Sequence, residues 1–130
     1  MRAAVAVMAV LAIAWLGVME RNTILQDRGV SASGRLSEAG NGARAEQAFR
    51  DARFLNPDTT PDLGRAFLYL AQDRRPAAKT LLEDVLHREP DNLTAWGVLF
   101  NVSRDYDAAL GRRALAARAR LDPLSARRRR

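Results

Sequence analysis

Cysteine is absent from the chain, so neither a disulfide framework nor thiolate chemistry is available to it. Histidine occurs once, at His87, and one imidazole without cysteine does not supply the several closely spaced ligands that a zinc or iron site needs. Aromatic residues make up only 6% of the chain, and no stretch alternates apolar and polar residues in the manner of a half-buried strand. Lysine is nearly missing too, with one against 20 arginines, which reads as coding bias in a GC-rich, bacterial genome. A phosphate-binding loop is lacking: Gly40-Asn41-Gly42 has no Lys-Ser/Thr after it and follows no strand. What remains is a chain of 130 residues rich in alanine, leucine and arginine, enough for one small domain and inclined to helix throughout.

Charge is distributed unevenly. Nine arginines but only three aspartates follow Ser103, so the formal net charge of +6 falls on the last helix and tail and residues 1–102 are neutral. Arg112 and Arg113 with Arg127, Arg128, Arg129 and Arg130 are the expected basic surface, suited to anionic lipid headgroups. Nucleic acid is the less expected partner, because no aromatic residues are interleaved for base stacking.

Ala3 to Met19 is a run of 17 residues without a charge, bounded by Arg2 and by Glu20-Arg21. As a helix it spans about 26 Å, close to the roughly 30 Å of a bilayer core. Trp15 stands where an interfacial aromatic belongs. An uncleaved anchor, a removed signal peptide and a buried core helix all fit the run. The anchor is the expectation for residues 1–21, since the small-x-small triplet Ala12-Ile13-Ala14 lies inside the apolar stretch. Arg2 ahead of the run, as in secretory signals, favours an amino terminus inside and the remainder outside the cytoplasm.

Pro57, Pro90 and Pro123 stand 33 residues apart. Ahead of the first two, the same spacing recurs: Ala45, Phe49, Ala52, then Ala78, Leu82, Val85. Positions three and four apart share a helical face, so each run offers one apolar stripe that ends at a residue unable to continue the helix. Repetition at such a period marks stacked helix-turn-helix units that share their core with neighbours.

These residues resemble the tetratricopeptide repeat family, with its small residue, large apolar, small residue and proline in the second helix of each unit. The resemblance implies an all-α fold, a short α-solenoid of about three repeats covering residues 22–125 with units at 26–59, 60–92 and 93–125; the apolar run places an N-terminal transmembrane helix before it, and the arginine run a basic tail at 126–130 after it. Ser33 takes the small position of the first unit, and Trp96 and Leu99 lie in the first helix of the third. Departures are the shortened second and third units, Phe67 and Phe100 where the family prefers small residues, and Arg118 in place of alanine. Val30 to Gly34 reads either as helix or as a linker between membrane and repeats.

In that family the first helices line a partner-binding groove, and its positions carry over to Gly64, Leu68, Gln72, Gly97, Asn101 and Arg104. Gly64 and Gly97, one period apart, are places where either a ligand or a neighbouring helix comes close to backbone. Asn101 with Arg104 forms a donor set suited to a carboxylate. His87 reads as a solvent-side residue at a helix C-terminus, Glu83-Asp84 as water-facing, and Asp105 or Asp107 as a cap for the following helix. No catalytic residue, metal ligand or cofactor is expected. The expected function is that of a bacterial membrane-anchored interaction scaffold binding a protein or peptide, with self-association open. The alternatives are an accessory subunit of an envelope enzyme or transporter, and an electrostatic binder of membrane or nucleic acid.

Overall fold

The computed structural model describes residues 2–35 and 40–124. Among them lie six helices and no strand: α1 (Arg2–Ser33), α2 (Asn41–Ala52), α3 (Thr60–Ala71), α4 (Arg75–Arg88), α5 (Leu93–Ser103) and α6 (Ala108–Leu121). The chain divides into two compact units, Met1–Pro61 and Asp62–Arg130.

In the first unit α1 runs without interruption through the apolar segment, past Glu20 and Arg21, to Ser33. Residues 30–33 are therefore helix, and Gly34 and Arg35 form the turn that follows. Among the described residues one helix, α1, is long and apolar enough to cross a membrane, and the side chains along its apolar part are bare: Val7, Leu11, Ile13 and Leu16 are each more than half exposed. α2 packs back on the later part of α1. Gly40, at φ 80°, supplies the left-handed residue that starts α2. Asn41 then donates to the Arg35 carbonyl at 3.0 Å and closes the connection. The expected stripe Ala45, Phe49, Ala52 is buried. Its partner on α1 is Gly29, where a Cβ would stand 2.7 Å from the Phe49 ring, so the ring lies directly on backbone. The small residue of this helix pair is thus Gly29, and Ser33 instead donates to the Gly29 carbonyl at 2.8 Å.

In the second unit the interval of 33 is visible in the helix boundaries themselves. α3 begins at Thr60 and α5 at Leu93; α4 begins at Arg75 and α6 at Ala108; α4 ends at Arg88 and α6 at Leu121. Prolines follow two residues after α4 and α6, as a residue without a free N–H requires. α5 is apolar nearly all round and packs on both α4 and α6. Its Ala95, Trp96, Val98, Leu99 and Val102 join Ala66 and Tyr69 of α3, Ala78, Leu82 and Val85 of α4 and Ala114 of α6 in one core. Gly111, one period after Ala78, is buried, and a Cβ there would come within 3.3 Å of the Arg104 backbone. Polar ties set the ends. Asn92 accepts from the Ala95 N–H at 2.9 Å, Asp107 caps α6 by accepting from Leu110 at 3.0 Å, and nearly buried Asp62 at the start of α3 holds Arg88 at the end of α4 at 2.5 Å.

Candidate binding surfaces

α4, α5 and α6 enclose a cleft of about 370 Å³ with a floor of Leu86, Leu99 and Leu110. Trp96 forms one wall. Its Nε1 donates to the Pro90 carbonyl at 2.7 Å, which fixes the indole and leaves its ring to face Arg113, whose guanidinium lies 5.9 Å from the ring centroid. A cation over an aromatic face is attracted by the ring quadrupole. Glu83 and His87, one turn apart on α4, stand on the rim and are exposed. The cleft offers an apolar floor, one cation, one carboxylate and an imidazole, which suits a short amphipathic segment. His87 is water-facing in the last turn of α4 as its spacing predicts, but its place beside Trp96 and Arg113 was not visible in the sequence. The i, i+4 spacing of Glu83 and His87 was the available signal.

A second depression lies where the α3–α4 turn meets the α5–α6 turn, between Asp73, Arg75, Pro76, Asp105 and Tyr106. Arg75 bonds Asp73 at 2.9 Å and reaches Asp105 at 3.7 Å. The hydrogen bond to Asp73, aided by both carboxylate charges, raises the Arg75 pKa above its ordinary value. Lys79 pairs with Asp107 at 3.6 Å on the same side. These exposed pairs orient the turns and contribute little to stability.

The predicted groove residues do not form one surface. Leu68 is 1% exposed, so it belongs to the interior and cannot meet a partner. Its inward side follows from the helical period, which puts Leu68 among the buried positions of α3 while Phe67 beside it is half exposed. Gly64 is half-buried on α3. Gln72 is half-buried just past the end of α3 and accepts from Arg74 at 3.3 Å. Gly97 faces α6, where the Arg118 side chain lies 3.7 Å from a would-be Cβ, an ordinary contact. Its near neighbour is therefore a helix of the same unit. Asn101 and Arg104 are exposed, and Arg104 lies 3.4 Å from Asp105, which already shares its charge.

Of the predicted basic surface, Arg112 and Arg113 are exposed on α6, and Arg127, Arg128, Arg129 and Arg130 lie outside the described residues. Arg120 is paired with Asp91 at 3.1 Å. One large apolar side chain on α6 is open: Leu115 is 49% exposed, whereas Leu82, one period earlier, is fully buried. Among the described residues no three histidine or acidic side chains converge.

Comparison of the chain with family models, curated proteins and solved structures finds no match.

Proposed function

We propose that the protein is a membrane-anchored binding module, built on tetratricopeptide-like repeats, that holds a partner protein or peptide at a bacterial membrane. The observation that carries this reading is the recurrence of helix boundaries at 33 residues in α3–α6, since units repeated at such a period share a core and present extended surfaces. α1 supports the anchor: its bare apolar side chains at Val5 and in residues 7–16 are costly in water and favourable in a bilayer core. The repeats face away from the cytoplasm in this reading. A reporter fused after Arg130 is then active only outside the cytoplasm, and activity only inside reverses the assignment.

The partner is tested by photo-crosslinking in native membranes from Asn101 and Arg104, with exposed Thr80 on α4 as the control. A discrete adduct from residues 101 and 104 but not from 80 is expected. No adduct from either, in a chain that remains membrane-integrated, overturns the reading. A second reading, a permanent subunit of a larger envelope assembly, is favoured by the open Leu115. It replaces the first if residue 115 crosslinks nearly completely while 101 and 104 do not.

A further inference from the structure

α1 and α2 run antiparallel, and the chain thereby returns toward the segment that enters the membrane. Three contacts fix the register: Asn41 to the Arg35 carbonyl, Phe49 on Gly29, and Asn22, buried at 2% exposure, donating to the Phe54 carbonyl at 3.3 Å. Phe54 is therefore level with Asn22, three residues or about 4.5 Å beyond the end of the uncharged run. At that level stand two adjacent apolar residues that the fold does not cover, Phe54 at 63% and Leu55 at 57% exposure. Leu55 also has φ 54°, a left-handed backbone that is strained for a residue with a Cβ and that glycine or asparagine would adopt more readily. The turn is well tied: Phe54 N–H donates to the Asp51 carbonyl at 3.2 Å, Asn56 N–H to Arg53 at 3.2 Å, and the Arg53 guanidinium to the Asn56 carbonyl. An exposed phenylalanine beside an exposed, strained leucine, both held outward by a braced turn, gains nothing from the interior.

Resting on the reading that α1 spans a bilayer, we propose that Phe54 and Leu55 form a second membrane contact, inserting at the boundary between headgroups and hydrocarbon in the leaflet from which α1 emerges. The headgroup layer is about 5–8 Å deep on each side of the roughly 30 Å core. A turn about 4.5 Å above the end of the apolar run lies within that layer. Amphipathic and aromatic residues are favoured there. The occupant is lipid, and neutral phosphatidylcholine suffices because the two side chains carry no charge.

The absence of native cysteine allows single spin labels in the full chain. Labels at Ile13→Cys, Ala43→Cys, Phe54→Cys and Leu55→Cys are compared in phosphatidylcholine vesicles by their relative accessibility to oxygen and to a water-soluble nickel complex. Ala43, exposed on α2 and eleven residues from Phe54, stands about 16 Å farther from the membrane. The expected result is a high oxygen preference at 13, an oxygen preference at 54 and 55 several-fold above that at 43, and a water-like value at 43. Position 13 in lipid with 54 and 55 equal to 43 overturns the second contact and leaves the span intact. Position 13 in water overturns the span and this inference together. Shielding of 54 and 55 in native membranes but not in vesicles assigns the turn to a protein neighbour and overturns the lipid assignment.

Discussion

The two units solve one packing problem with different means. In residues 1–61 the helix pair holds an aromatic ring laid on a glycine, Phe49 on Gly29, with Ala45 and Ala52 also buried and Asn22 and Asn41 closing the two ends. In residues 62–130 twelve buried residues from four helices share a core, and no one of them dominates it. The same repeat position, Phe49, Leu82 and Leu115, is buried in the first two cases and half exposed in the third. A repeated sequence thus sets where the apolar residue stands, while its neighbours set what the residue contributes.

Alanine at each of those three positions sharpens the contrast most. Phe49→Ala is expected to cost about 3–5 kcal/mol and Leu82→Ala about 2–5 kcal/mol. Leu115→Ala, at an open site, is expected to change stability by no more than about 0.5 kcal/mol. Hydrogen exchange of the α2 and α4 amides in nanodiscs reads the first two separately. Equal costs at all three positions would show that Leu115 is covered and would break the comparison.

The next effect is one of sign. Gly29→Ala places a Cβ 2.7 Å from the Phe49 ring, and overpacking of that kind costs about 1–3 kcal/mol. Gly97→Ala meets only Arg118 at an ordinary 3.7 Å, so the helical preference for alanine prevails and stabilises by about 0.5–1 kcal/mol. Thermal melts that move in the same direction for both would contradict the geometry. The smallest effect is at a cap. Asp107→Ala removes the acceptor for Leu110 and is expected to cost about 1 kcal/mol, seen as earlier fraying of the first turn of α6.

Much of the helical layout was legible because two independent signals coincide. Helical spacing put Ala45, Phe49 and Ala52 on one face, as it did Ala78, Leu82 and Val85, and all six are buried. Proline then marked where the second helix of a pair stops, to within two residues in α4 and α6. The end of α1 was not legible. Glu20 and Arg21 mark the change from apolar to polar, but a change of polarity does not break a helix, and α1 continues to Ser33. Gly29 escaped notice for a related reason: its role depends on a ring twenty residues away, not on local spacing. The same holds for the cleft, whose Trp96 and Arg113 meet only when α5 and α6 pack. Leu68 was misplaced because the groove position came by analogy, while the period of α3 itself points that side chain inward.

The unbroken course of α1 makes it a lever. A domain hung on a loose tether swivels freely above its bilayer, whereas under the proposed span the shaft in lipid is also one half of the first helix pair. Any tilt that a thicker or thinner bilayer imposes on the shaft is delivered to α2 as torque, about 48 Å of rigid rod turning as one piece.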